Sequence, residues 1–416
     1  MRYRPRIIDQ ELRARLRRSG AVLVEGPKAC GKTESARRIA ASEVRLDTDP
    51  DVARMMEIDP YLLLAGETPR LLDEWQHYPE LWNYVRREID DRKQKSLFLL
   101  TGSSNPEETV KKHSGALRIS RMRMRPMSWY ELGFSTGEVS LKSLLDGDTP
   151  LSAPSASTLD EIIEQIVRGG WPSLLEETTA DARAEIRDYI DLLADVDLSK
   201  VSDTRRDPTK VRQLLRSLAR NVATEATLET LAADITQEND PLNRETVSTY
   251  LEALMRLMVV EDQPAWRPHL RSSAPFRKSP KRHFVDPSLA VAALGADQKA
   301  LLDDLNYFGF LFESEVIRDL RVYAQAVDAT VSHFRDASGL EIDAILQLSD
   351  NSWAAFEIKL GMSGADQGAA SLLALRDKVN MTKTGELRAL TVITSFGFAH
   401  QRKDGVNVVP LTTLKN

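Results

Sequence analysis

Two glycines five residues apart, followed at once by a lysine and a threonine, constrain the fold of this chain more than any other feature. They fit the spacing G-x-x-x-x-G-K-[ST] between an apolar stretch and a helix-like stretch. Glycine permits backbone angles that point successive N–H groups at one anion, and the start of a helix adds a positive end. The sequence therefore predicts a phosphate-binding loop made of Gly26, Pro27, Lys28, Ala29, Cys30, Gly31, Lys32 and Thr33.

Composition limits the class of protein. The 416 residues exceed one ordinary core, so two to four domains are expected. A single cysteine excludes an internal disulfide framework and suits a reducing compartment, and no stretch reaches the length of a membrane span. We therefore expect a cytoplasmic protein without membrane association. The net charge of −6 restricts any nucleic-acid binding to local basic patches.

Nucleotide hydrolysis needs acidic side chains as well as a phosphate loop. Lys32 is expected to neutralise the β- and γ-phosphates, and Thr33 to hold Mg²⁺. In "PRLLDEWQHYP" a short apolar run leads to Asp73 and Glu74. We expect Asp73 to hold Mg²⁺ through water and Glu74 to polarise the attacking water. Ser103 follows the apolar run "KSLFLL" and is expected to bond the γ-phosphate or that water. The alternative for Asp73 and Glu74 is an acidic pair on a helix surface, and the alternative for Ser103 is a polar turn after a buried strand.

Four arginines follow within eight residues: Arg118, Arg121, Arg123 and Arg125. Their alternation with apolar residues favours an exposed strand with a basic face. An ordinary solvated face is the alternative.

The segments "YRPRIID", "VLVEGPKACGKT", "RLLDEWQ", "FLLTGSS" and "RISRMRMRPMSWYELG" together resemble the prokaryotic AAA-family ATPases that carry a C-terminal domain of unknown function. "RGGWP" and "APFRKSPKRHFVDPSLA" extend the resemblance over essentially the whole chain. It implies ATP and Mg²⁺ as cofactors and a homo-oligomer, with a hexameric ring as one candidate. In that family a Gly-Arg pair usually precedes the "RMRPMS"-like segment, and here the pair reads Leu117-Arg118. The resemblance implies that Arg118 is an arginine finger completing the site of a neighbouring subunit.

The middle of the chain reads as a linker followed by helices. Three helical stretches lead to the strand-like "MVVEDQ", and "KRHFVD" follows as a second strand. This order predicts a winged helix, with Thr246, Val247 and Tyr250 at the start of the recognition helix. A structural or partner-binding winged helix is the alternative. Six cations lie between these two strands or at the start of the second strand, and we expect them to contact DNA phosphates: Arg267, Arg271, Arg277, Lys278, Lys281 and Arg282.

The C-terminal part carries an acidic pattern. Asp343 lies in an alternating strand, Glu357 and Lys359 share a face of the next strand, and the preceding helix carries Glu313 and Glu315. This is the order of PD-(D/E)xK nucleases, in which carboxylates hold Mg²⁺ and the lysine activates water. A hairpin with a surface salt bridge, or a nuclease-like fold that only binds, is the alternative. The candidate nuclease-like site is Glu315, Asp343, Glu357 and Lys359.

The predicted fold class is α/β in three units. Residues 1–150 form a P-loop domain with a parallel sheet, residues 151–296 a helical and winged-helix domain, and residues 297–416 a restriction-endonuclease-like α/β domain. The predicted function is a Mg-dependent, ATP-hydrolysing AAA-type ATPase that binds and remodels DNA, with branched DNA as one candidate substrate. Two alternatives stay open, namely an ATP-gated, metal-dependent nuclease and a nucleotide-dependent switch or scaffold in defence or signalling.

Overall fold

A five-stranded parallel sheet forms the first unit. The structure is a computed structural model that describes residues 3–103, 115–198, 207–236, 243–268 and 279–416. The elements of the first unit are α1 (Ile8–Arg18), β1 (Ala21–Glu25), α2 (Lys32–Arg37), β2 (Ser42–Arg45), α3 (Val52–Ile58), α4 (Tyr61–Leu64), β3 (Arg70–Asp73), α5 (Leu81–Arg92), β4 (Phe98–Gly102) and β5 (Ile119–Arg123). The spatial order of its strands is β2-β3-β4-β1-β5.

The sheet is covered by helices on both faces, because alternate strand residues point to opposite sides. Val22 packs with residues of α1, whereas Leu23 packs with residues of α5. All neighbouring strands are parallel, so their carboxyl ends share one edge. The loop of residues 26–33 follows β1 at that edge, Glu74 follows β3, and Ser103 follows β4. The predicted α/β sheet of a P-loop domain is confirmed.

A helical unit follows, with short elements leading into it. These elements are α6 (Trp129–Leu132), β6 (Val139–Ser140), α7 (Leu141–Leu145), α8 (Leu159–Arg168), α9 (Thr179–Leu192), α10 (Pro208–Arg220), α11 (Leu228–Thr236), α12 (Arg244–Arg256), β7 (Val260–Gln263), β8 (Lys281–Phe284) and α13 (Pro287–Leu294). Strands β7 and β8 pair antiparallel. Three helices and two strands thus occur in the predicted order, and membership of the winged-helix class stays a prediction. Val247 and Tyr250 of α12 are buried, so both contact the core, while Thr246 is half-buried.

The last unit contains a mixed sheet of six strands. The elements of this unit are α14 (Gln298–Asp303), α15 (Leu305–Ala326), β9 (Ala329–Arg335), β10 (Glu341–Leu348), β11 (Trp353–Lys359), α16 (Ala365–Lys378), α17 (Met381–Thr384), β12 (Leu387–Thr394), β13 (His400–Gln401), β14 (Asn407–Pro410) and β15 (Leu414–Lys415). The spatial order of the six strands is β13-β14-β12-β11-β10-β9. Strand β10 pairs antiparallel with both β9 and β11, and β12 pairs parallel with β11.

The segment around α6 and β6 packs with the C-terminal unit. The ring of Trp129 lies 6.3 Å from that of Phe312 in α15, and both side chains belong to one core that extends to Leu414. Strand β15 pairs with β6, with Leu414 opposite Val139. The segment that follows β5 therefore packs with the C-terminal unit.

Across the described ranges, no helix has both the length and the apolar character that crossing a membrane requires.

Candidate nucleotide site and a buried carboxylate cluster

The loop between β1 and α2 has the backbone that a phosphate-binding loop needs. A Cβ atom on Gly26 would lie 2.3 Å from the carbonyl oxygen of Met124, so only glycine fits there. Gly31 has a φ of 100°, in the left-handed region that favours glycine. Helix α2 begins at the next residue, Lys32, so its unpaired N–H groups face the loop. The loop can therefore present several N–H donors to one anion.

Both lysines of the loop contact protein oxygens. The buried Lys32 donates from Nζ to the carbonyl oxygen of Pro27 at 2.7 Å. Lys28 Nζ donates to a carboxylate oxygen of Asp197 at 2.5 Å. Asp197 ends a π-helical turn, Leu193–Asp197, that continues α9. This link to the helical unit has no signal in the sequence, because 169 residues separate the two side chains and no motif marks Asp197.

Two hydroxyls meet one carboxylate at the carboxyl edge of the sheet. Thr33 Oγ1 donates to Asp73 Oδ1 at 2.8 Å, and Thr101 Oγ1 of β4 donates to the same oxygen. Asp73 is buried. The two residues assigned to Mg²⁺ from the sequence, Thr33 and Asp73, are thus adjacent. Thr101, the second donor to Asp73, had no role assigned from the sequence, although it lies in the same strand-end segment as Ser103.

Glu74 and Ser103 are also in contact. Glu74 has a φ of 55°, and its Oε2 accepts hydrogen bonds from Ser103 Oγ at 3.1 Å and from Gln76 Nε2. Gln76 Nε2 donates to Ser103 Oγ as well, at 3.2 Å. The two predicted catalytic residues therefore lie together beside Asp73. Gln76 is a contact that the sequence signals only by its position two residues after Glu74.

The structure shows which part of Cys30 faces the predicted loop. The side chain of Cys30 is fully buried in the core between α1 and β1, so the thiol cannot line the phosphates. The carbonyl oxygen of Cys30 accepts a hydrogen bond from Arg6 Nη1 at 2.9 Å, and Arg6 also pairs with Glu131 at 3.0 Å. Only the backbone of Cys30 can therefore contact a ligand.

A cavity of about 160 Å³ adjoins Gly31 and the start of α2. Pro172 and Leu175, which follow α8, give it an apolar wall, and Tyr3 closes it from the N-terminal segment. A flat, partly apolar group attached to a phosphate in the loop could bind there. The cavity is lined by Tyr3, Arg4, Arg6, Gly31, Glu34, Ser35, Met127, Pro172 and Leu175.

Arg118 lies at the opposite edge of the sheet from the loop. It immediately precedes β5, and its carbonyl oxygen accepts from the N–H of Ala21, the first residue of β1, at 3.2 Å. Its guanidinium pairs with Asp90 at 2.9 Å, and 42% of its side chain is exposed. Arg118 therefore does not contact the loop of its own chain. Its action on a neighbouring subunit stays a prediction.

Two other arginines of this stretch do not form the expected exposed face. Arg123 and Arg125 pair with Glu261 of β7 at 2.6 and 3.0 Å, and Arg321 of α15 pairs with it at 2.9 Å. Burial alone would raise the pKa of Glu261, but the three guanidiniums hold that pKa below its usual range. These arginines therefore join the first sheet to the other units, while Arg121 is exposed.

The structure corrects two of the predicted DNA contacts. Arg282 is buried, donates to the carbonyl oxygen of Ala226 and lies 3.5 Å from Asp262. Lys281 is buried among carboxylates of the C-terminal unit. Cations that are buried and paired cannot reach the phosphates of a duplex. Arg267 is exposed, and the remaining three cations lie outside the described residues: Arg271, Arg277 and Lys278.

The C-terminal carboxylates and Lys359 line a cavity of about 480 Å³. Lys359 Nζ lies 2.6 Å from Glu357 and 3.8 Å from Asp343. Glu313 of α15 reaches the same cavity. Burial, with the Asp343 charge adding to it, raises the pKa of both Glu313 and Glu357 to about 8. Within the described ranges, no group of three or more His, Cys, Asp or Glu side chains is arranged to hold a metal ion.

Glu315 does not belong to this cluster, which corrects its place in the candidate site. It is buried elsewhere and pairs with Arg318, which also pairs with Asp286 at 2.7 Å and Asp319 at 2.9 Å. Residues two apart in an α-helix point about 200° apart around its axis, so Glu313 and Glu315 cannot enter the same cavity.

Three family models match separate parts of this chain. Residues 18–133 match the family model described as AAA domain. Residues 159–300 and 308–414 match two models described as Domain of unknown function, DUF8612 and DUF4143. An uncharacterized protein of Mycobacterium tuberculosis and one of Mycobacterium bovis are each 25% identical over 352 residues, 84% of this chain and 72% of theirs.

A Walker-type ATPase of Pyrococcus abyssi is similar over 68% of this chain and 94% of its own, at 13% identity and a TM-score of 0.41. The AAA-domain match and the phosphate loop on a parallel sheet support a P-loop ATPase domain in the first unit. The nuclease-like assignment of the last unit stays a prediction.

Proposed function

We propose that this protein is a Mg-dependent ATPase whose site consists of the loop of residues 26–33 and of residues at the carboxyl ends of β3 and β4. The observation that carries the proposal is the contact of Thr33 with Asp73 at 2.8 Å, directly beside the Glu74–Ser103 pair at 3.1 Å. A phosphate loop, a metal-binding pair and a carboxylate near the attacking water are the parts that transfer of a phosphoryl group to water needs.

The residues present fit Mg²⁺. This ion prefers oxygen ligands and keeps several of its waters. The Thr33 hydroxyl and the Asp73 carboxylate supply two such oxygens, and the Thr101 hydroxyl holds the carboxylate in place. Bound Mg²⁺ would neutralise charge on the β- and γ-phosphate oxygens.

The side chains of the chain then have separate tasks. Lys32 would exchange the carbonyl oxygen of Pro27 for phosphate oxygens, while the loop N–H groups bind the same anion. Glu74 would orient a water and accept its proton as the water oxygen bonds to the γ-phosphorus and the bond to the bridging oxygen breaks. Ser103 would hold the Glu74 carboxylate through the hydrogen bond already present.

The cavity beside Gly31 is our candidate site for the nucleobase. Pro172 and Leu175 provide apolar contact in this cavity, next to Gly31 and the start of α2. Both residues follow α8, and Asp197, which pairs with Lys28, follows α9. A bound nucleotide would therefore contact the helical unit at two points. Through these contacts ATP binding would change the position of the helical unit.

Lys32→Ala tests nucleotide binding. We expect a loss of ATP affinity of about 10- to 100-fold, since a buried ammonium that bonds to phosphate is removed. Titration calorimetry with ATP and Mg²⁺ measures the affinity, and phosphate release measures hydrolysis. Lys142→Ala, which removes an exposed lysine paired with Asp146, is the matched control. Unchanged affinity in Lys32→Ala would contradict the site, and binding of ATP by the natural protein without hydrolysis would favour the switch alternative.

DNA binding and remodelling by this ATPase remain part of the proposal, supported by the sequence. With Lys281 and Arg282 buried, this part depends on the exposed Arg267 and on Arg271, Arg277 and Lys278. Changing the last three to Ala should weaken binding of duplex and branched DNA alike. The slope of log affinity against log salt should fall by up to about 0.9 for each phosphate contact removed. A slope equal to that of the natural protein would refute the assignment, and the control variant changes three exposed lysines: Lys142, Lys299 and Lys383.

A further inference from the structure

A buried ammonium lies among the carboxylates of the C-terminal unit. Lys281 Nζ is 2.8 Å from an oxygen of Glu313, 2.9 Å from Glu341 and 3.4 Å from Asp343. Only 4% of the Lys281 side chain is exposed. The lysine comes from β8, so it enters the cluster from outside the helix and strands that carry the acidic residues. One cation is thus shared by three carboxylates.

The geometry is that of a cation site filled by a protein group. An ammonium offers three N–H donors and one positive charge, which match three carboxylates that point at one place. A divalent ion would occupy the same place with shorter distances to oxygen, about 2.0–2.6 Å. The other side of Asp343 is also satisfied, because its Oδ2 accepts from the N–H of Ile358 at 2.8 Å. Both carboxylate oxygens of Asp343 therefore already have a donor, the Lys281 ammonium at Oδ1 and the Ile358 N–H at Oδ2.

We infer that the Lys281 ammonium occupies the cation position of this carboxylate cluster, so that the natural protein binds no divalent metal there. As they surround the ammonium, these carboxylates are not arranged to hold a metal ion, and they should close on a divalent cation once the lysine is shortened. Lys359, which pairs with Glu357 and lies 3.8 Å from Asp343, does not block that position. The inference is independent of the proposed ATPase, and it argues against metal-dependent cleavage of nucleic acid by the C-terminal unit.

The test is Mn²⁺ binding by the full chain without nucleotide. Lys281→Ala should bind one more Mn²⁺ per chain than the natural protein, because three carboxylates lose their shared cation. Mn²⁺ should also raise the melting temperature of this variant more than that of the natural protein. Titration followed by the electron paramagnetic resonance of free Mn²⁺ measures the number bound. The difference between the two proteins cancels any metal bound at Asp73.

Two further variants make the result specific. Lys359→Ala removes a neighbouring ammonium and should show no gain in bound Mn²⁺. Lys281→Ala combined with Asp343→Asn should lose the gain. ATP hydrolysis by Lys281→Ala at the natural rate would show that this variant is folded.

The inference is overturned if the natural protein binds Mn²⁺ at a site that Asp343→Asn alone abolishes. This comparison needs only the natural protein and Asp343→Asn, so it decides the question even if Lys281→Ala does not fold. Mn²⁺-dependent nicking of DNA by the natural protein that disappears in Asp343→Asn would overturn it too.

Discussion

Glu74→Gln is expected to bind ATP as tightly as the natural protein and to hydrolyse it about 10²–10⁴-fold more slowly, the range for loss of a general base. The amide keeps the size of the side chain and can still bond to Ser103 and Gln76, so the local structure should persist. It cannot accept the proton of the attacking water. The expected pattern is therefore a loss in turnover without a loss in binding, the opposite of Lys32→Ala.

Phosphate release under saturating Mg-ATP gives the turnover, and titration calorimetry gives the affinity. Glu67→Gln is the matched control, since Glu67 is exposed on the same unit and should leave both values unchanged. Turnover by Glu74→Gln at the natural rate would show that another group activates the water. Loss of ATP binding in this variant would instead assign Glu74 to the binding step.

Arg318→Met is expected to lower the free energy of unfolding by about 3–5 kcal/mol, the range for breaking a buried ion pair from one side. Arg318 is 2% exposed and pairs with Asp286, Glu315 and Asp319. Methionine fills much of the same volume but leaves these buried carboxylates without a cation. Ile317 and the other apolar neighbours in α15 should be unaffected, so the loss reports the charge.

The loss should also depend on pH. Burial raises the pKa of Asp319 to about 6 even with the opposing charge of Arg318 present. An acid whose pKa is higher in the folded state stabilises the fold when protonated, so stability falls as pH rises from its unfolded pKa to its folded pKa. Removing the guanidinium raises the folded pKa further. Arg318→Met should therefore be less destabilised at about pH 5 than at about pH 8.

Urea unfolding at both pH values measures these differences. Arg376→Met, which removes a partly exposed arginine of α16 next to Asp377, is the control and should change stability by at most about 1 kcal/mol. A loss of that small size in Arg318→Met would mean that the carboxylates find other partners. A loss that does not vary with pH would exclude carboxylate titration as its cause.

Local patterns were sufficient for the first unit. The glycines and Lys32 of the predicted phosphate loop are close in sequence. Asp73 ends an apolar strand, Glu74 follows it directly, and Ser103 follows another apolar strand. Because parallel strands bring their carboxyl ends to one edge, a motif at each strand end predicts one common site. The spatial order of the strands and the contact of Gln76 with Glu74 could not be deduced in this way, since both depend on how the strands are placed side by side.

The cations of the middle and last units show what local sequence patterns cannot predict. A lysine in a polar stretch has the same sequence pattern whether it is solvated or buried. The burial of Lys281 depends on its pairing with Glu313, Glu341 and Asp343, the nearest of which is 32 residues away. Likewise, periodicity placed two glutamates on α15, but the rotation of the helix against the sheet chose Glu313 for the cavity and Glu315 for Arg318.

The sequence by itself determined the glycine-bracketed loop after β1, the positions of Asp73 and Glu74 at the end of β3 and the parallel sheet of the first unit, because backbone preference and apolar periodicity act over a few residues. The tertiary structure alone decided which charges pair. Burying a charge is unfavourable unless an opposite charge meets it, and such partners are brought together by packing between units that are distant in the chain. The contacts of Lys28 with Asp197, of Glu261 with three arginines and of Lys281 with three carboxylates all arose in this way.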